Sequence, residues 1–219
     1  MQIKINLKIF IFIIIFIVTR QIEIYGILML FAFLHEIGHL LAGLILGFKP
    51  QTLSLNPLGL AIKFKIDLED YNHKINKANI LALKKIIIAF SGPAVNFIIA
   101  ILFFVSNFRL GGIKNEFIIY SNILIGLFNL IPIYPLDGGR ILKEIIHIFK
   151  GLNESYTYIN FISNASIIML TIFSSIGIFY LKNIAILFII CYLWYLVINE
   201  NRLYNQRMKM IEIINRYIE

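Results

Sequence analysis

The chain is laid out as long apolar runs broken by short polar ones, and six of the runs are candidates for crossing a bilayer. They are Ile3–Thr19, Ile24–Phe48, Ile86–Phe104, Phe117–Ile133, Ile159–Leu181 and Ile184–Ile198. A helix needs roughly 20 residues to cross the hydrocarbon core. Lys4 and Lys8 lie near the start of the first run, where long stems carry their charges back to the interface. Thr19-Arg20-Gln21 offers no small-residue cleavage site, so this run is expected to stay as a span or anchor and not to leave as a signal peptide. The fourth run ends where Pro132 and Pro135 forbid a regular helix.

Residues 51–70 are of another kind. Leu53, Leu55, Ile62, Phe64 and Ile66 alternate with Ser54, Lys63, Lys65 and Asp67 about Asn56-Pro57-Leu58-Gly59. A period of two around a turn sequence predicts a β-hairpin. Strand edges are tolerated at membrane depth only where protein or water covers them, so the hairpin belongs at the interface or against the helices. Residues 71–85 read as a basic cytoplasmic linker with Lys74, Lys77, Lys84 and Lys85. In 199–219, Leu203, Met210, Ile211, Ile214 and Tyr217 mark an amphipathic helix, either lying on the membrane or a neighbouring subunit or simply solvated. The predicted architecture is an all-α polytopic membrane protein of about six transmembrane helices. A small membrane-associated β-hairpin sits between the second and third, and one domain, 1–198, carries a short cytoplasmic tail, 199–219.

Composition agrees. Of 219 residues, 59% are hydrophobic and 15% charged, with a mean hydropathy of +0.84. Soluble domains run near half apolar and about a quarter charged, and a water-soluble fold of this length has too little interior to hide the excess. The formal charge of +8 does not indicate nucleic acid, because the basic residues fall in short loops where they set topology and meet anionic lipid. With a cytoplasmic start and six crossings, Arg20, Arg109, Lys114 and Lys182 fall outside and the remaining sixteen of the 20 Lys and Arg fall inside. That bias predicts cytoplasmic termini. Cys191, the only cysteine, excludes an intrachain disulfide and reads as a small packed residue within an apolar run.

The chemistry concentrates in three polar islands. The first is His35-Glu36-Ile37-Gly38-His39, midway along the second apolar run. Histidines at i and i+4 share one helical face, so both imidazoles reach one ion, and Glu36 beside them is placed to act as general base on a metal-bound water. Ionisable groups at this depth cost roughly 2.5–3.5 kcal/mol each on an insertion scale, which a bound dication offsets. The alternative is a hydrogen-bonded cluster that glues helices together.

A catalytic zinc takes three protein ligands and leaves one position open. His73 and His147 are available in polar stretches, but Asp137 is the stronger candidate. It ends Asn129-Leu-Ile-Pro132-Ile-Tyr-Pro135-Leu-Asp137-Gly138-Gly139-Arg140, where prolines break the helix and glycines permit close backbone approach. The competing reading is a plain exit turn with Asp137 in water. The third island is Ser91-Gly92-Pro93-Ala94-Val95-Asn96. Asn96, like Asn129, either contacts substrate and the developing oxyanion or makes an interhelical hydrogen bond.

Together the islands resemble the site-2 protease family of intramembrane zinc metalloproteases. That family shows H-E-x-x-H, then Ser-Gly-Pro-x-x-Asn, then Asn-x-x-Pro leading to Asp-Gly, and all three occur here in that order over residues 35–140. The resemblance implies one zinc per chain held by His35, His39 and Asp137, water activated by Glu36, and a site lined by Asn96 and Asn129. The short chain and Pro-Ile-Tyr-Pro-Leu-Asp-Gly-Gly-Arg are similar to the stage IV sporulation protein FB branch, though without its C-terminal CBS domain. That likeness implies a bacterial cell membrane, or the mother-cell membrane around a forespore, and a sporulation sigma factor precursor as substrate. An anti-sigma factor or signal-peptide remnants are the alternative substrates. A metal-binding transporter and a non-catalytic scaffold are the competing classes. The expected partners are a membrane-associated protein substrate and the bilayer, with inhibitory membrane proteins left open.

Overall fold

The computed structural model describes residues 2–5, 7–56, 59–65, 75–106, 114–182 and 185–218. Residues 66–74, which hold the end of the predicted hairpin, His73 and the start of the linker, lie outside the described residues. The chain divides into two compact units, Met1–Leu130 and Ile131–Glu219.

In the first unit β1 (Gln2–Ile5) leads into α1 (Lys8–Val18) and α2 (Ile22–Ile45); β2 (Lys49–Asn56) and β3 (Gly59–Lys65) precede α3 (Ile75–Ser106) and α4 (Asn115–Asn129). β2 and β3 pair antiparallel, with Leu53 opposite Ile62. β1 adds to β2 in parallel, with Ile3 opposite Leu53, giving the strand order β1-β2-β3. The first apolar run is therefore divided. Gln2–Ile5 already alternates, and pairing uses residues that length alone assigned to a span. What remains as α1 has 11 residues, or about 16 Å at 1.5 Å per residue.

The second unit holds α5 (Asp137–Lys150), α6 (Leu152–Leu181) and α7 (Ala185–Ile218). α7 runs unbroken through the stretch expected as a separate tail; nothing after Ala185 is Gly or Pro, so no residue stops it. Cys191 is exposed on this helix, correcting its expected packing.

Among the described residues four helices are long and apolar enough to cross a membrane: Ile22–Ile45, Asn79–Ser106, Leu152–Tyr180 and Ile186–Ile211. α1 and the 15-residue α4 are shorter than the six-span reading assumes. The outward faces are apolar, with Ile98, Ile101, Leu102 and Phe104 exposed on α3 and Phe161, Ile168, Met169 and Phe173 exposed on α6. Such patches suit lipid and not water. Small residues bring α2 and α3 together. A Cβ on Gly38 would stand 2.8 Å from both the Ser91 carbonyl oxygen and Val95 Cγ2, closer than packed atoms come.

Candidate metal centre

α2 carries His35 and His39 on the face turned to α3, and both are buried, each 3% exposed. Their Nε2 atoms stand 3.1 Å apart. What those nitrogens do depends on which of them carry protons, and the surrounding hydrogen bonds settle that.

The backbone carbonyl of Ile118 is a group of fixed polarity that only accepts. Asn122 Nδ2 donates to it at 2.9 Å, so the Asn122 oxygen faces the other way and accepts from Asn96 Nδ2 at 2.9 Å. The Asn96 oxygen is thereby turned to His35 Nδ1, 2.6 Å away, and Nδ1 must be the protonated nitrogen. His39 reaches the same state more directly, since its Nδ1 donates to the carbonyl of Ile88 at 2.6 Å. Ser91 Oγ donates to the same carbonyl at 2.7 Å. In the neutral rings both Nε2 atoms then present acceptor lone pairs 3.1 Å apart, an arrangement that a shared cation would stabilise.

The spacing fits such a cation. Two imidazoles on a tetrahedral zinc, each at about 2.0–2.1 Å, would hold their nitrogens about 3.3 Å apart. Each Nδ1–H bound to an acceptor is the usual outer support of a metal-ligating histidine. Gly92 keeps the space open, because a Cβ there would collide with His39 Nε2 and lie 2.6 Å from His35 Nε2. Pro93 follows it inside α3; lacking an N–H, it leaves the carbonyl four residues back without its usual helical partner.

Asn96 is fully buried, and its oxygen and one N–H are engaged with His35 and Asn122. Asn129 sits one turn from the end of the run, where its amide donates to the carbonyl of Ile125 at 3.0 Å in its own helix. Glu36 is half-buried beside His35.

Asp137 belongs to the second unit, where it opens α5 and is 4% exposed. Its carboxylate lies in the first turn, at the positive end of the helix dipole, and Arg140 Nη1 stands 3.6 Å from it. The turn before it is specific. Ile133 N–H donates to the Ile131 carbonyl and Leu136 N–H to the Ile133 carbonyl, both at 2.7 Å, and Tyr134 N–H donates to Ser163 Oγ on α6 at 2.9 Å. A Cβ on Gly139 would meet the Ile133 carbonyl carbon and Tyr134 nitrogen at 2.5 Å. The turn thus folds back onto the first turn of α5, and only glycine fits there. His147, the other candidate ligand, has its Nδ1 3.4 Å from Glu144 Oε2.

Reading the sequence alone missed Asn122 and the roles of Gly92 and the Ile88 carbonyl. Asn122 did carry a signal, as a polar amide inside an apolar run one heptad from Asn129, but no pattern in one dimension names its partner.

Comparison with known proteins adds the lineage. The model for peptidase family M50 matches residues 24–112 and 114–173, more than half of the chain. The zinc metalloprotease MJ0392 of Methanocaldococcus jannaschii is 35% identical over 132 residues, which is 58% of this chain. The match covers 33% of that relative, about a third of its length. A solved structure of a site-2 protease from Methanocaldococcus jannaschii superposes with a TM-score of 0.67 at 24% identity, over 90% of this chain and 89% of that one. That likeness is one of fold.

Proposed function

The chain belongs to peptidase family M50 and is an integral membrane protein, and on that footing we propose that it is an intramembrane zinc metalloprotease. The observation that carries the reading is the pair of Nε2 lone pairs, fixed 3.1 Å apart by two committed Nδ1 donors. His35, His39 and Asp137 would hold one zinc per chain. A buried carboxylate at a helix N-terminus suits a dication in its donor chemistry.

Bound zinc supplies a Lewis acid that lowers the pKa of a coordinated water toward about 7. Glu36 would take the proton of the attacking water and return it to the leaving amine. Asn96 serves as a positioning residue for His35. Asn129 is left to line the substrate path. The substrate is a membrane-associated protein segment, and a membrane-tethered sigma factor precursor is the first to try, with an anti-sigma factor or signal-peptide remnant second. Sixteen of 20 Lys and Arg support cytoplasmic termini if α1 and α4 complete six crossings.

The test compares wild type and Glu36→Gln, each checked for zinc content, on a tagged membrane-tethered precursor. Cleavage by wild type with a loss of about 10²–10⁴-fold in the variant, and zinc in both, is the expected result. Equal cleavage by both would remove Glu36 from the chemistry. Zinc uptake into vesicles without cleavage would favour a transporter instead.

A further inference from the structure

The second unit contains a buried cation that the metal chemistry does not use. Lys143, on α5, is only 9% exposed. Its Nζ lies 4.0 Å from the centre of the Tyr156 ring and 5.3 Å from that of Tyr134. Among the described residues it pairs with no carboxylate. Ring faces compensate a buried ammonium only in part, and an ammonium without an anion is costly away from water.

Lys143 faces a cavity of about 20 Å³ lined also by Tyr134, Tyr156, Ser163, Glu200 and Arg207. The guanidinium of Arg207 stands 4.5 Å from the same Tyr156 ring. Glu200 is the one carboxylate on the wall, and it has a partner of its own. Two cations against one carboxylate leave the cavity with one excess positive charge. Its volume admits a single oxygen-sized group, since a water needs about 10–15 Å³ by this measure.

Tyr156 and Arg207 also form the wall of a second, apolar groove of about 440 Å³, completed by Leu152, Leu203, Met208 and Ile211. That volume lies in the range of roughly 300–1,000 Å³ typical of small-molecule sites. Both spaces sit where α6 begins and α7 approaches its end, at the same end of two membrane-length helices. Lys150 over Tyr158, at 4.0 Å, gives that end a second cation–aromatic pair, the composition expected at headgroup depth.

We propose that this paired cavity and groove bind one anionic phospholipid. A phosphodiester oxygen enters the cavity toward Lys143, Arg207 closes on the phosphate from the exposed rim, and an acyl chain lies in the groove. The single negative charge of a phosphatidylglycerol headgroup matches the single excess positive charge. A zwitterionic headgroup brings its own cation and gains nothing. Tyr134 ties the site to the turn that delivers Asp137 three residues later.

The experiment uses the full chain, purified and delipidated in neutral detergent. It is titrated with phosphatidylglycerol, phosphatidylcholine or inorganic phosphate, and bound molecules are counted by native mass spectrometry. Wild type is expected to retain one phosphatidylglycerol at a concentration at least tenfold below that for phosphatidylcholine. Lys143→Met should abolish that preference, Lys143→Arg should keep it, and Arg207→Gln should weaken it severalfold. Without lipid, Lys143→Met should melt at or above the wild-type temperature, because an uncompensated charge is gone. If Lys143→Met does not fold, an unchanged preference in Arg207→Gln overturns the proposal, as does equal retention of the two lipids by wild type. Phosphate binding as tightly as phosphatidylglycerol would make this a small-anion site and remove the lipid.

Discussion

Replacing Asn122 with leucine tests the polarity argument where it is most exposed. The side chain hydrogen-bonds to neither histidine, and its proposed influence passes through Asn96. Leucine keeps the same branched skeleton without its polar atoms and deletes two bonds, the one to the Ile118 carbonyl and the one from Asn96 Nδ2, both 2.9 Å. Asn96 is fully buried, so its orphaned N–H costs about 1–3 kcal/mol. Rotating the amide relieves that cost only by presenting NH₂ to His35 Nδ1, which moves the ring proton to Nε2. That is the nitrogen a metal must use. Loss of outer support of this kind typically weakens metal binding about 10–100-fold, equivalent to about 1.4–2.7 kcal/mol at 1.36 kcal/mol per decade. The two ranges overlap, so the cost of the orphaned amide is large enough to drive the change of tautomer. Zinc affinity would be read by competition with chelators of graded strength. Histidine ¹⁵N shifts in the zinc-free protein would show whether His35 changes tautomer, a signature that ordinary destabilisation would not produce. A folded Asn122→Leu protein that holds zinc within threefold of wild type, with His35 still protonated on Nδ1, would refute the reasoning.

Other substitutions separate the parts of the site. Gly92→Ala drives a methyl between the two imidazoles and should lower zinc occupancy more than tenfold while circular dichroism still reports intact helices. Gly139→Ala cannot accommodate the Ile133–Tyr134 backbone at 2.5 Å; displaced with its turn, Asp137 should lose its place, and proteolysis should fall by at least tenfold. Asn164 and Asn201 exchange hydrogen bonds at 2.9 and 3.2 Å between α6 and α7. Asn164→Leu should cost about 1–2 kcal/mol in a detergent melt and leave zinc content unchanged, which makes it the control for nonspecific loosening.

The histidine pentad was legible because its geometry is local. A four-residue interval on a helix fixes a shared face whatever the rest of the chain does. The alternation of residues 51–66 was local in the same sense. Gln2–Ile5 alternates too, but it abuts a run of isoleucine and phenylalanine, and hydropathy cannot distinguish an extended segment from the first turn of a span. The unbroken α7 followed from an absence of stop signals that a change in polarity at Asn199 concealed. The site's outer support was hidden for a different reason. Asn122 acts through Asn96, 26 residues away in sequence, and the direction of each amide is set only by the carbonyl at the end of the line.

The parallel pairing of β1 with β2 also imposes an order on biogenesis. Ile3 pairs with Leu53, and synthesis at roughly 5–20 residues per second places about 3–10 s between the emergence of the two. During that interval α2, long and apolar enough to cross a membrane, is synthesised while β2, the strand with which β1 pairs, is still missing. The sheet can close only afterwards, and because β2 lies in its centre, closing it fastens the start of the chain to the segment that follows the histidine helix. An insertion defect in α2 should therefore be detectable at residues 2–5, as a failure to become protected from protease long before any loss of catalysis is scored.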